Sequence, residues 1–329
     1  MPSSRSTNAL TAGLVAGALG FAILLGTGSD GFHSFGARAP ADRPDGGSGS
    51  WTMTAELRDL ARHRNVSALY LGARFDASQF TLDNAASGGI PVPRVFLPAL
   101  PKDLRSLDSV DARKSIFLRT LLPIVLKANE EIAADRRRLV LLKEKLAAGK
   151  ELPTADRVWL DRLGTRYDTD PADFDRLMRR VDIVPVSLAL AQAVEESGWG
   201  TSRFARQGNA IFGQYTTIDD HGMIPRGAPD DASFKIKAFP NMLAGVRAYM
   251  RNLNTHGAYA RLRALREAQR ADGFDPDGRK LAETLQGYSE RGDEYIRTLH
   301  IIMDANGLDR LERNARLAEP VDHLAGSAG

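Results

Sequence analysis

Residues 181–200 read VDIVPVSLALAQAVEESGWG, and the reading of this stretch decides the fold. Pro185 suits the start of a helix, where its missing N–H leaves no bond unmade. Residues 186–196 then form an Ala-rich, mostly apolar helix, a composition that belongs in a core. Gly198 supplies the stop. The predicted helix therefore carries two carboxylates, Glu195 and Glu196, into its last turn, at the negative end of the helix dipole. That position disfavours a carboxylate by about 0.3–1 kcal/mol. Trp199 follows, with Phe204, Phe212 and Tyr215 close behind. A carboxyl among aromatic rings at a helix C-terminus holds its proton to higher pH than one in water, and an acid that stays protonated near neutrality is a candidate for proton transfer. Two solvated helix-end residues are the plainer reading of the same pair.

Working outward, residues 9–28 read ALTAGLVAGALGFAILLGTG, with no charge between Arg5 and Asp30. As a helix such a run spans about 30 Å, the hydrocarbon thickness of a bilayer, and Arg5 ahead of it favours an N-in orientation. We read it as an uncleaved membrane anchor. A cleaved signal peptide is the alternative, with ARA at 37–39 in a poor position before Pro40. Either way the bulk of the chain is exported. Residues 29–53, rich in Gly, Ser, Pro and Asp, form a flexible linker, and residues 313–329 a flexible tail.

Between these ends, residues 54–63 show helical periodicity and VSALYLGARF (66–75) reads as a short strand. Residues 88–104 are punctuated by proline and extended. A long helical region covers 109–148, where Pro123 must start a new helix or kink the existing one. Short helices are expected near 154–164 and 171–180. Residues 216–239, TTIDDHGMIPRGAPDDASFKIKAF, read as a β-hairpin or small β-lobe.

Composition excludes several chemistries. The 329 residues contain no cysteine, which removes disulfides, a thiolate nucleophile and a Cys-ligated zinc. The six histidines show no helical pairing of the kind that ligates metal. No metal or cofactor is expected. A net charge of +3 is too small to argue for nucleic acid but is compatible with an anionic partner.

The segment LALAQAVEESGWGTSRFARQGNAIFGQY (188–215) resembles the signature of the peptidoglycan glucosaminidases of glycoside hydrolase family 73. The similarity continues through AFPNMLAGVRAYMRNLNTHGAYARLRALR (238–266) and LAETLQGYSERGDEYIRTLHIIMDANGL (281–308). Upstream, VPRVFLPALPKDL (92–104) and RKSIFLRTLLPIVLKANEEI (113–132) resemble the Bax-like bacterial branch, which carries a helical extension. The resemblance covers roughly residues 90–312. It implies a mainly α-helical, lysozyme-like domain with a small β-lobe over 181–312, preceded by a helical extension over 54–180.

It also implies an activity of a bacterial protein: hydrolysis of the β-1,4 bond after N-acetylglucosamine in peptidoglycan glycan strands. The anchor read from residues 9–28 would hold that protein in the inner membrane, with its domain in the periplasm. Cleavage of a signal segment would instead leave it free in the periplasm. Position by position, the family's acid falls on Glu196 and its tyrosine on Tyr288, with Tyr295 as packing partner. Trp199 shapes the pocket, and Asn209, Phe212, Gly213, Gln214 and Tyr215 form the floor of the sugar groove, although Trp199 and Phe212 also read as core. The second catalytic group stays open among Asp219, Asp220, Asp230, Asp231 and Glu290, or the substrate's own acetamido group. The competing functions are a lytic transglycosylase, whose motif differs from IFGQY here, an amidase, and a non-catalytic wall-binding or scaffold protein.

Overall fold

The structure is a computed structural model that describes residues 60, 62, 65–216, 222–224 and 235–320. The proposed anchor at 9–28 and linker at 29–53, together with Asp219, Asp220, Asp230 and Asp231, lie outside the described residues.

The chain from Ala68 to Leu317 is mainly helical. Helix α1, Ala68–Ala77, stands where the sequence suggests a strand. Its buried residues Ala68, Leu71, Gly72 and Phe75 follow the i, i+3, i+4, i+7 spacing of one helix face. Its N-terminus is capped from a distance: Asp103 accepts from the Ala68 N–H at 2.9 Å and from the Ser67 hydroxyl at 3.0 Å. A cap 35 residues away in sequence outweighs the strand propensity of Val, Leu and Tyr, and no local pattern reveals it.

Helix α2 is Leu82–Ser87 and helix α3 is Val110–Ala147. Ser109 caps α3 by accepting from the Ala112 N–H. The helix runs unbroken through Pro123, so no new helix begins there. Residues 116–125 are all buried, and burial on every side holds the helix where the proline removes one backbone bond. Helices α4, Thr154–Arg166, and α5, Phe174–Arg180, follow near the expected positions.

Helix α6, Val186–Ser197, lies at the centre. Residues 186–194 are all buried, and α3 packs along it on one side. Helix α7 is Arg203–Gly208. Strands β1, Tyr215–Thr216, and β2, Lys235–Ile236, pair antiparallel with Tyr215 opposite Ile236, and Met223 bridges to Ile236. These are the described parts of the expected β-lobe. Helices α8, Met242–Thr255, α9, Ala260–Ala271, α10, Gly278–Ala282, α11, Asp293–Ala305, and α12, Leu308–Asn314, complete the set. Helices α10, α11 and α12 close around the remaining faces of α6. Among the described residues no helix is both long and apolar enough to cross a membrane.

One hydrophobic core extends from Leu60 to Ala315 and makes no break near residue 180. Asn129 of α3 exchanges two hydrogen bonds with the backbone of Val184, at 2.7 and 3.1 Å, which fixes α3 against the entry to α6. At the far end, the backbone of Val92 bonds to Arg316 and Ala318, each at 2.8 Å. Residues 316–318 are thereby built into the fold, within the stretch the sequence reads as tail.

Candidate functional site

The start of α6 is finished by a side chain the local sequence does not advertise, and its end by its own Ser197 and Gly198. At its start Pro185 offers no side-chain cap. Glu312 of α12 supplies one, accepting from the Ser187 N–H at 3.2 Å and from the Ser187 hydroxyl, while its other oxygen accepts from the Gly278 N–H of α10 at 3.1 Å. At the C-terminus three consecutive residues take left-handed conformations: Gly198 at φ +56°, Trp199 at +58° and Gly200 at +73°. Trp199 is the strained member, since a side chain disfavours this region. Ser197 locks the turn, donating to Ala193 O at 2.6 Å and accepting from the Gly200 N–H at 2.8 Å. A Cβ on Gly200 would lie 2.8 Å from Leu100 and Phe117, so the upstream extension packs directly beneath the turn. Phe117 meets the Trp199 ring edge-on, with centroids 6.0 Å apart, and the Lys114 ammonium lies 5.2 Å from the Trp199 centroid.

The turn ends the helix just beyond Glu195 and Glu196, and the two carboxylates have different fates. Glu195 forms an ion pair with Arg291, whose other terminal nitrogen donates to Thr298 at 2.7 Å. It is a tethered residue, not a solvated one. Among the described residues no cation contacts Glu196 directly. Its Oε1 accepts from the Tyr295 hydroxyl at 2.9 Å. Burial pushes its carboxyl up to about 7, against the opposing pull of the Tyr295 hydrogen bond; the nearby Glu195 raises it further and Arg291 lowers it. A carboxyl that is half protonated near neutrality can deliver a proton to a leaving oxygen.

An aromatic cluster surrounds it. Tyr295 stacks on Tyr288 at 5.4 Å, Tyr288 lies 5.8 Å from Tyr259, and Tyr249 stacks on Phe212 at 3.7 Å with the rings 4° from parallel. The tyrosine that touches Glu196 is thus Tyr295, the residue the sequence assigns to packing, while the buried Tyr288 supports it from behind. Burial and the neighbouring Glu196 hold the phenols of Tyr249, Tyr288 and Tyr295 well above their usual range.

Among the expected groove residues, Asn209 is a buried left-handed cap of α7 whose amide donates to Phe239 O at 3.0 Å, and its Oδ1 is buried with no hydrogen-bond partner among the described residues. Gln214 Oε1 is likewise buried, with no partner among the described residues. Gly213, at φ +59°, has open space where a Cβ would go. Phe212 is buried against Tyr249, as core. Tyr215 lies on β1, half-buried, and Glu290 is exposed. No cluster of His, Cys, Asp or Glu among the described residues is arranged to hold a metal ion.

Sequence reasoning missed Arg291, Tyr249 and Gln192. Gln192 had a signal: besides Ser187 it is the sole polar residue over 186–194, one turn before Glu196, and a polar side chain in a buried helix has a partner to find.

Residues 171–308 match the family described as mannosyl-glycoprotein endo-beta-N-acetylglucosaminidase. Protein bax of Escherichia coli (strain K12) is 33% identical over 213 residues, which cover 62% of this chain and 73% of that protein. No solved structure matches the chain significantly. The match to protein bax takes in more of the chain than the glucosaminidase region, so the chain belongs to the Bax-like family of glucosaminidase-domain proteins.

Proposed function

We propose that this protein is a peptidoglycan hydrolase, an endo-β-N-acetylglucosaminidase that cleaves the β-1,4 bond after N-acetylglucosamine with Glu196 as general acid. The observation that carries the reading is the state of Glu196. It sits at the C-terminal end of a buried helix, with burial raising its carboxyl to about 7 and Tyr295 holding one oxygen. An acid of this strength is protonated in a useful fraction at neutral pH and leaves a stable carboxylate after transfer. The proton passes to the glycosidic oxygen as the bond to the sugar carbon breaks. At the other face of the sugar, water is activated or the oxocarbenium ion stabilised by Asp219, Asp220, Asp230, Asp231 or Glu290, or by the substrate's acetamido group. Lactyl and peptide carboxylates make the polymer anionic, which agrees with the chain's net positive charge. Residues 9–28 would hold the protein in the inner membrane with this domain outside.

The test is digestion of purified peptidoglycan with the full chain, followed by borohydride reduction and mass spectrometry of the new ends. Reducing N-acetylglucosamine ends are expected. Anhydro-muramic ends would assign the protein to the transglycosylases, and free stem peptides to the amidases. Pelleting on sacculi with no release would make it a binding module.

A further inference from the structure

Gln192 is fully buried in α6, and its carboxamide has two partners. The Tyr249 hydroxyl of α8 donates to Gln192 Oε1 at 2.6 Å. Gln192 Nε2 donates to the Tyr295 hydroxyl oxygen at 2.9 Å. That hydroxyl donates in turn to Glu196 Oε1 at 2.9 Å. The three bonds form one chain, all running in the same direction and ending on the acid.

A carboxamide has a donor end and an acceptor end, so turning it over would reverse the chain. Gln192 would then present its oxygen to Tyr295. The single Tyr295 proton would go to Gln192, and Glu196 could keep the contact only by donating its own proton from Oε1. The acid's proton would point inward at a tyrosine. In the arrangement observed, Oε1 is already an acceptor, and the proton of the neutral acid belongs on Oε2. One amide orientation therefore decides which oxygen of Glu196 is the acidic one.

Tyr249 fixes that orientation. It is fully buried, with its ring stacked on Phe212, and Gln192 is its sole hydrogen-bond partner among the described residues. With the amide turned over, the Tyr249 proton would face Nε2 and have no acceptor, leaving a buried donor unmet. We propose that Tyr249 and Gln192 are positioning residues that set the polarity of this chain and so place the acidic proton of Glu196 on Oε2, the oxygen Tyr295 leaves free. The proposal rests on the reading of Glu196 as the general acid.

The charged and titratable groups around Glu196 are Glu195 on its own helix, Arg291 ahead of α11, and Tyr249, Tyr259, Tyr288 and Tyr295. The four phenols stay protonated far above neutrality. A change in the alkaline limb of the rate profile between pH 6 and 8 (roughly one unit either side of a carboxyl near 7) therefore reports on Glu196.

The experiment measures kcat and KM against pH for the full chain on solubilised peptidoglycan, with thermal melts alongside. Gln192→Glu is isosteric and, once ionised, accepts at both ends, so it draws the Tyr295 proton away from Glu196. The expected result is a fall in kcat of about tenfold or more, little change in KM, and an alkaline limb moved to higher pH. Tyr249→Phe keeps the ring stack and removes the group that sets direction, so kcat should fall by a smaller factor. In a Tyr295→Phe background Tyr249→Phe should have no further effect, because no hydroxyl remains to be directed. Wild-type profiles for folded Gln192→Glu and Tyr249→Phe, or an undiminished Tyr249→Phe loss in the Tyr295→Phe background, would overturn the proposal. If the buried carboxylate of Gln192→Glu prevents folding, the Tyr249 and Tyr295 cycle decides alone. Glu196→Gln run in parallel separates the two levels. Full activity there removes the acid itself, whereas an inactive Glu196→Gln with the cycle unchanged removes only the positioning role.

Discussion

A glutamine at position 196 keeps the size and the acceptor of Glu196 but has no proton to give. Activity of Glu196→Gln should fall by a factor on the order of 10²–10⁴, measured as new reducing ends on peptidoglycan. Stability should move the other way, and only above acid pH. The folded carboxyl titrates near 7 against an ordinary 4.5. Below 4.5 it is protonated in both folded and unfolded chains, so the variant should melt with the wild type. Between 4.5 and 7 the unfolded chain ionises first and the wild type loses stability; above 7 the loss is complete. The melting temperature of Glu196→Gln should thus rise relative to wild type across that window and hold its lead beyond it. Equal melting temperatures at pH 4 and pH 8 would show that Glu196 is not strained by burial. Glu195→Gln should behave differently. It weakens the pair with Arg291 and loosens the segment that leads into Tyr295, so kcat should drop, but by less than for Glu196→Gln on the same preparation.

At the level of elements, α6 is held by groups outside itself. Glu312→Ala removes the acceptor for Ser187 and for Gly278, leaving donors at the starts of two helices unmet. The expected cost is about 1–3 kcal/mol, read as a lower denaturation midpoint with unchanged slope. Gly200, in the turn after α6, and Gly213, beyond α7, offer a paired test of strain against crowding. Gly213→Ala meets only the left-handed backbone, since the space beside it is open, and should cost roughly 1–2 kcal/mol. Gly200→Ala meets the same backbone penalty and also Leu100 and Phe117 at 2.8 Å, which adds a further ~1–3 kcal/mol of overpacking. Midpoints that agree for the two variants would mean that the extension yields easily and does not brace the turn.

For the whole molecule, the undivided core implies that the glucosaminidase region does not stand alone. A fragment beginning at residue 181 loses Asn129, which bonds to Val184, and the Phe117 ring beneath Trp199. It should show no cooperative melt by circular dichroism, whereas residues 60–320 should. The same continuity explains what the sequence could and could not reveal. Helix α6, its Gly198 stop and the pair of carboxylates in its last turn are legible because periodicity, a glycine cap and a misplaced charge are local signals, whereas the choice of Glu196 over Glu195 rests on the family resemblance. The helix at 68–77 was misread because its cap, Asp103, comes from another segment. The contacts of Tyr295 and Arg291 with the two carboxylates are not legible because their partners lie 99 and 96 residues away. Spacing along a chain says nothing of which distant hydroxyl reaches a given carboxylate.

Glu312 has a consequence in time as well as in space. A ribosome makes α6 more than a hundred residues before it makes the side chain that finishes the helix's first turn. The backbone ladder between Val92 and residues 316–318 also waits for the last part of the fold to be made. Until then the segment bearing Glu196 has its sequence but not its frame. A chain halted short of residue 312 would carry Glu196, Tyr249, Gln192 and Tyr295 and still lack the cap that anchors α6, so the order of synthesis itself keeps the site unfinished until residue 312 has been made.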